Sequence, residues 1–502
     1  MMRITHWIAL SLLAQFAPLL LGQATAQTDA ENPQVDAQYR QIDERLKNLT
    51  SALEQTRGEL AAAVDEIHRL RIELEQTRAA KAPEVPAETV AAKLTEEIAR
   101  IREDQSVIQE QVKVHEQIKV ETLSRYHLWF SGLVLFNAFA NRGTVDVSDL
   151  PNIALPNYNP TGNNVAGATV RQTIVGLTAS GPRLFGAQST ADLNLDFSSN
   201  GNAEAYPAPS GSTRIHSAHI RLEWPHDRIE FGFTEPLISP LSPTSYANVA
   251  QPPLAWAGNL SAWAPQLRFE HRLQLNEANQ LGLEVGLWDA VYGGTNLHPY
   301  QLLPSAEESQ RWPAVESRLS WTMNSRTPFH VALGGFRGAL KTKYEATIPS
   351  WAFNTDFALR LFPKLSISGE LYRGSSLAGL GGGSHKDILI GIDPSTGDER
   401  VIGLNSVGGW TQFKLAWPQA VEFNAAIGED SGYGRDFRRL VLAGNNNPIT
   451  SLARNQMIMG NIIFRPRTYL ILSPEYRRIL SGRISGTSYA ANVFTLSAGY
   501  SF

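Results

Sequence analysis

The sequence predicts an all-β transmembrane barrel of about 16 antiparallel strands, preceded by an α-helical coiled coil. Three observations carry the barrel. From Tyr126 onward, hydrophobicity alternates with a period of two. Along that stretch, short turns alternate with long loops. The last strand is aromatic, alternating, and closes on Phe502. The coiled coil rests on a heptad stripe upstream.

Residues 1–26 read as a secretory signal peptide. Arg3 gives the charged start, Trp7 to Leu21 the apolar core, and Ala24-Thr25-Ala26 the small-residue cleavage site, so the mature chain is expected to begin at Gln27. The core is short for a membrane span and carries a Pro and a Gln. With no cysteine in the chain, a lipoprotein anchor, disulfides and thiol chemistry are excluded.

The segment 27–125 is expected to be a periplasmic coiled coil. Leu46, Leu53, Leu60, Ile67 and Leu74 recur every seven residues, with Ile42, Leu49, Thr56, Ala63 and Leu70 in the alternate core position. So narrow a stripe, between positions rich in Glu, Arg, Gln and Lys, buries a seam between helices. Pro83 and Pro86 interrupt it near 80–88. A second helical stretch, roughly 88–122, keeps the seam through Leu94, Ile98, Ile101, Ile108 and Val112, with Gln105 and His115 at core positions where a polar group would fix register.

Residues 126–502 read as strands. Phe353, Phe357, Leu359 and Leu361 alternate with Asn354, Asp356, Ala358 and Arg360. Leu267, Phe269, His271 and Leu273 alternate with Arg268, Glu270, Arg272 and Gln274. Val421, Phe423, Ala425 and Ile427 alternate with Glu422, Asn424, Ala426 and Gly428. Short turns are expected near 181–183, 225–228, 276–279, 324–327, 362–364, 418–420 and 465–467, several with Pro after a bulky residue. Long loops are expected near 142–168, 199–212, 235–264, 290–311, 338–349, 375–405, 430–453 and 479–488. Seven turns and eight loops make sixteen strands.

A soluble β-sandwich also alternates. Against it stand the two unequal faces of turns and loops, the even strand count that returns both chain ends to the side of the coiled coil, and the charges on the polar face. A sandwich core could not hold Arg268, Glu270, Arg272, Glu316 and Arg318, whereas a water-filled lumen can. Since lipid offers no partner to backbone groups, such a barrel must close.

At the C-terminus, Phe494, Leu496, Ala498, Tyr500 and Phe502 share one strand face. This resembles the terminal strand that the barrel-insertion machinery reads, and marks Tyr500 and Phe502 as the expected signal. The layout as a whole resembles a DcaP-like porin: signal peptide, trimerising periplasmic coiled coil, sixteen-stranded barrel. The resemblance rests on that strand and on the Pro-rich third loop, Glu235 to Pro265, which holds Glu235, Tyr246, Trp256, Asn259 and Trp263. It implies a homotrimer in the outer membrane, in contact with its lipid, and a third loop that folds into the lumen and narrows it. An ordinary external loop is the alternative.

The pore-lining expectation names Arg214, Arg221, Glu235, Arg268, Glu270, Arg272, Glu316, Arg318, Asp356, Arg360 and Lys414. The arginines, together with the resemblance, suggest small hydrophilic anions as solutes. Asp192, Asp196, Glu270, Glu284, Glu316, Asp356 and Glu370 dilute that suggestion. Oligomerisation is expected through Ile42, Leu46, Leu49, Leu53, Leu60, Ile67, Leu70, Leu74, Ile98, Ile101 and Ile108.

Other chemistry is weaker. His216 and His219, three apart on a strand, are expected on opposite faces and make a poor metal pair. Gly379 to Gly383 lacks the Lys-Ser/Thr of a phosphate loop. No Ser/His/Asp order stands out, and a net charge of −4 implies no nucleic-acid partner. The expected function is a passive diffusion channel needing no cofactor, metal or catalytic residue. The alternatives are a structural barrel tethered to the cell wall by its coiled coil, which could reach on the order of 110 Å at ~1.5 Å per residue, and, less favoured, a barrel enzyme.

Overall fold

A computed structural model of the chain describes residues 127–157, 164–199, 211–289, 305–306, 308–325, 327–342, 346–417, 420–442 and 451–502. The expected signal peptide and both helical stretches lie outside the described residues. So do all the expected oligomerisation positions.

In chain order the strands are β1 (His127–Arg142), β2 (Asn164–Thr169), β3 (Ile174–Leu184), β4 (Ala187–Ser199), β5 (Ser212–Glu223), β6 (Asp227–Thr234), β7 (Ala264–Gln274), β8 (Asn279–Trp288), β9 (Ala314–Met323) and β10 (Phe329–Lys341). They continue as β11 (Thr347–Phe362), β12 (Leu365–Ser375), β13 (Ile388–Ile392), β14 (Glu399–Gly403), β15 (Asn405–Trp417), β16 (Val421–Gly432), β17 (Val441–Leu442), β18 (Leu452–Arg467), β19 (Leu470–Arg483) and β20 (Ser488–Ser501). All but β13, β14 and β17 join one antiparallel sheet, and those three form a small sheet within the loops. β2 covers the Asn137–Arg142 end of β1 and β3 the His127–Leu133 end, so the two fill one wall position. β20 pairs with β1 from Leu133↔Ser501 to Arg142↔Asn492. The wall is therefore a closed barrel of sixteen antiparallel strands.

The two faces of the wall differ as the alternation requires. Phe130, Val134 and Phe136 of β1, Leu283, Val285 and Leu287 of β8, and Phe494, Leu496 and Tyr500 of β20 are exposed on the outer face. On β20 this apolar face runs from Phe494 to Phe502. Eight steps of ~3.3 Å at a tilt of ~40° cover about 20 Å of membrane normal, close to the ~25 Å apolar band of such barrels. Among the described residues no helix is long and apolar enough to cross a membrane, and the crossing elements are strands.

Two expected turns are displaced by two to four residues, for one reason. The turn after β3 lies at Phe185-Gly186 and that after β18 at 468–469, not at 181–183 and 465–467. Pro182 and Pro466 instead sit inside strands at register shifts, between Ser180/Arg183 and Phe464/Arg467. Proline lacks the ladder N–H, and a bulge is where a strand tolerates that. Two expected long loops are short: β10 and β11 leave only 342–346, and β19 and β20 only 484–487.

Candidate functional site: the lumen and its third loop

The third loop, 235–263, runs inward and is tied to the wall almost all the way round. Its first turn meets β9, where Glu316 accepts from the Leu237 N–H at 2.9 Å. Asn354 of β11 donates to the Ile238 carbonyl. Glu370 of β12 accepts from the Ser239 hydroxyl at 2.5 Å and the Leu241 N–H at 3.1 Å. Gln412 of β15 takes the Thr244 N–H at 2.6 Å. Glu475 of β19 takes the Ser245 hydroxyl at 2.5 Å. Farther round, Asn137 of β1 donates to the Tyr246 carbonyl, Gln172 to Ala247, and Arg214 of β5 to Ala250 at 2.5 Å. Gln172 reaches the loop because the wall strand is broken between β2 and β3. Its side chain grips the loop twice, receiving the Val249 N–H at 2.8 Å as well.

Packing reinforces these bonds. Leu237, Ile238 and Leu260 sit in a buried cluster with Trp288, Phe336 and Tyr372 of the wall. Leu254 and Ala257 sit in another with Trp410, Met457 and Ile479. Gly258, at φ +105°, has room for no Cβ, which would lie 2.0 Å from the Gly409 carbonyl. Leu254 and Trp256 both have φ of 59°. For non-glycine residues that backbone costs roughly 1–2 kcal/mol each, offset here by full burial of Leu254 and by its carbonyl accepting from Ala257 and Asn259. Each net hydrogen bond to the loop contributes ~1 kcal/mol, more where the acceptor is charged.

Two further loops fold in beside it. The first loop, 143–163, passes the Pro151 and Ala154 carbonyls to Arg477 and Arg483 of β19. In the sixth loop, 376–404, Leu377 and Leu380 join the Leu260 cluster, and Ser384 donates its N–H to Asp430 at 2.6 Å. His385 stacks on Trp256. Within this loop, burial pulls the His385 imidazole down to about 4 and the Lys386 amine down to about 7, and raises the Asp387 carboxyl to about 6.

Strands β4 to β7 carry a lattice of ion pairs on their lumen face. Arg221 and Arg268 share Glu230 at 3.0 and 3.3 Å. Arg228 and Arg272 share Glu270, each at 3.0 Å, and also Glu223. Arg214 binds Asp196 at 2.6 Å. In most of these pairs the base is the more exposed partner: Arg214 36% against Asp196 0%, Arg221 30% against Glu230 7%. Arg268 also donates to the Thr234 hydroxyl at 2.6 Å and to the Glu235 carbonyl at 3.0 Å, so it stands at the root of the third loop.

The remaining expected positions fall into four groups. Glu316, Arg318 and Asp356 are on the inner face but buried. Glu316 lies under the loop, and Arg318 is clasped by Asp356 at 2.8 Å and Glu284 at 2.5 Å. Lys414 is half-buried near Glu422 at 3.5 Å. Arg360 is exposed beside the short turn of β11. Tyr500 and Phe502 lie on the outer face, and the Phe502 backbone pairs with Gly132 in both directions at 3.0 Å, at the barrel's closing seam.

One expectation is corrected. His216 and His219 share the inner face, bound to Asp196 at 2.9 Å and Asp192 at 3.2 Å. The register of β4 against β5 shifts between Asn194↔Ser217 and Leu195↔Ile215, so His216 is a bulged extra residue that breaks the alternation. No group able to hold a metal ion is found among the described residues. Missed from sequence were acceptors and donors that hold the loop: Glu370, Gln412, Glu475, Gln172 and Asn461, which donates to the Thr244 carbonyl at 2.8 Å. Only Glu370 drew notice, as a lumen charge. An isolated polar residue in an alternating strand carries no mark of the loop that will meet it.

No family model matches the chain, and no curated protein matches it in sequence. Among solved structures, the outer membrane channel DcaP of Acinetobacter baumannii superposes with a TM-score of 0.57 at 15% identity, over 76% of this chain and 99% of that one. The anion-selective porin from Comamonas acidovorans gives 0.48 at 9% identity, over 75% and 100%. Pseudomonas putida OprB gives 0.48 at 11%, over 75% and 94%. The first of these likenesses shows the fold: this chain is a closed sixteen-stranded transmembrane barrel built like the outer membrane channel DcaP.

Proposed function

We propose that this protein is an outer-membrane porin, a passive diffusion channel for small hydrophilic solutes with a preference for anions. The observation that carries the reading is the third loop held inside the barrel by wall side chains from β1 to β19, next to the ion-pair lattice of β5 to β7. A charge in a narrow channel with low-dielectric walls acts on a passing ion more strongly than one in bulk water. The anion preference is supported by the recessed carboxylates, which leave guanidinium groups as the outer members of their pairs. The structural neighbour from Acinetobacter baumannii is itself an outer membrane channel.

The reading extends to a homotrimer joined through periplasmic helices, with Tyr500 and Phe502 as the segment recognised during insertion. Planar-bilayer recording of the full chain tests it. Discrete conductance steps with an anion-to-cation permeability ratio above one are expected, and a correctly inserted protein that passes no ions would overturn it.

A further inference from the structure

The outer face carries a feature that the pore does not use. Phe413 of β15, Ala425 of β16, Gly460 of β18, Tyr476 of β19, Phe494 of β20 and Ala140 of β1 form one cross-strand row, each opposite the next in register. Ala425 and Gly460 lie between the bulky Phe413 and Tyr476, and the wall dips there. The result is a lipid-facing apolar groove of about 800 Å³, closed on the turn side by Phe423 and Ile462.

The next outward row toward the long loops contains Arg478, Asn492 and Arg142, on β19, β20 and β1. It lies about 7 Å along the strands from the groove row. Arg478 and Arg142 are exposed, flank Asn492 on either side, and form no ion pair among the described residues. Asn492 accepts the Tyr476 hydroxyl at 2.8 Å, which leaves its amide N–H groups to donate. Two rows farther out, by contrast, Arg454 is matched by Glu429 at 2.6 Å.

Two unmatched guanidinium groups at the edge of an apolar band call for an anion. Uncompensated cations grow costlier toward the lipid, reaching about 2–4 kcal/mol at the midplane, whereas arginine holds phosphate through paired hydrogen bonds. A second copy of the chain is a poor occupant, because it would bury both cations unpaired. We propose that this face binds a phosphomonoester-bearing acylated lipid of the leaflet on the long-loop side. One acyl chain lies in the Ala425–Gly460 dip, and a phosphomonoester is held by Arg142, Arg478 and the Asn492 amide. Two cations match the nearly double charge of a monoester better than the single charge of a phosphodiester.

Native mass spectrometry of the full-length protein in mild detergent tests this, with a bisphosphorylated acylated disaccharide as probe. Its dephosphorylated form and phosphatidylglycerol serve as comparisons. Retention of the phosphorylated probe is expected, with occupancy at least about tenfold lower for the R142Q/R478Q pair and for the dephosphorylated probe. Ala425→Trp, which fills the groove and leaves the charges alone, should also lower it. Equal retention by the double variant, or of the dephosphorylated probe by the unaltered protein, overturns the proposal. Equal retention of phosphatidylglycerol overturns the monoester assignment. Loss of oligomer mass in the double variant would mean that the face joins copies instead. Heat-dependent electrophoretic mobility confirms that each variant is folded, and unchanged conductance separates this site from the pore.

Discussion

His385 lies flat on Trp256, ring centroids 3.9 Å apart and planes 21° from parallel, so the sixth loop is pressed directly on the third. Beside it, the Lys386 amine donates to the Leu452 and Ser384 carbonyls and stands 5.9 Å from the Phe437 ring, facing Asp430 and Arg483.

This contact should depend on pH, in a direction set by three groups. Lys386 titrates near 7 when docked and near its ordinary value of 10.5 when released. The released loop therefore binds more protons between those values, and docking strengthens as pH rises through them. His385, lowered from 6.5 to about 4, strengthens docking as pH rises through that window. Asp387, raised from 3.8 to about 6, weakens it over nearly the same window, so the two largely cancel. Amide exchange of residues 377–387, corrected for intrinsic rates, should slow by at least about tenfold from pH 7 to 10. Lys386→Met should abolish that slope. An unchanged slope would show that Lys386 is not the group responsible.

Glu370→Ala should loosen the constriction. It removes the acceptor for both the Ser239 hydroxyl and the Leu241 N–H, which are left without that partner. The expected loss in loop docking is about 2–4 kcal/mol. Single-channel records should show larger and noisier steps while the barrel stays folded. Steps identical to the parent would mean that the remaining anchors suffice.

Arg268→Ala should shift selectivity toward cations. The change removes a guanidinium at the root of the third loop and leaves Glu230 with Arg221 alone. Reversal potentials in a salt gradient should report a fall in the anion-to-cation ratio on the order of twofold. Phe269→Leu, on the outer face, should leave it unchanged.

Deleting residues 27–122 should leave a barrel that still conducts, because β1 and β20 close the wall without them. Mass measurement in detergent should give a trimer for the full chain and a weaker assembly for the truncated one, since linked helices raise the effective concentration of the barrels. A full chain that is monomeric would refute the trimer.

Much of the wall was legible, because alternation is a local signal. Phe423, Ala425 and Ile427 face outward opposite Asn424 and Ala426, as a period of two requires. Turn positions failed where proline marked a bulge instead of a corner, at Pro182 and Pro466. His216 was misplaced because a single inserted residue changes the face of every later residue in its strand, and nothing in the stretch Arg214 to His219 announces the insertion. The lumen was the least legible part. Glu316 and Glu370 read as pore charge, but they are receptors for a loop distant in sequence, and such pairings leave no periodic trace.

The bond from the Ser245 hydroxyl to Glu475 spans 230 residues of chain. A chain made from its N-terminus has produced the whole third loop before β9, β12, β15 or β19 exists to receive it. The loop must therefore remain in water while the later strands are added, its N–H groups solvated and its apolar side chains Leu237, Ile238 and Leu254 uncovered. Loop closure over so long a span is entropically slow, and uncovered apolar surface invites off-pathway association in the interval. Filling of the lumen becomes a late event in the birth of the molecule, complete only when β19 brings Glu475 to the Ser245 hydroxyl.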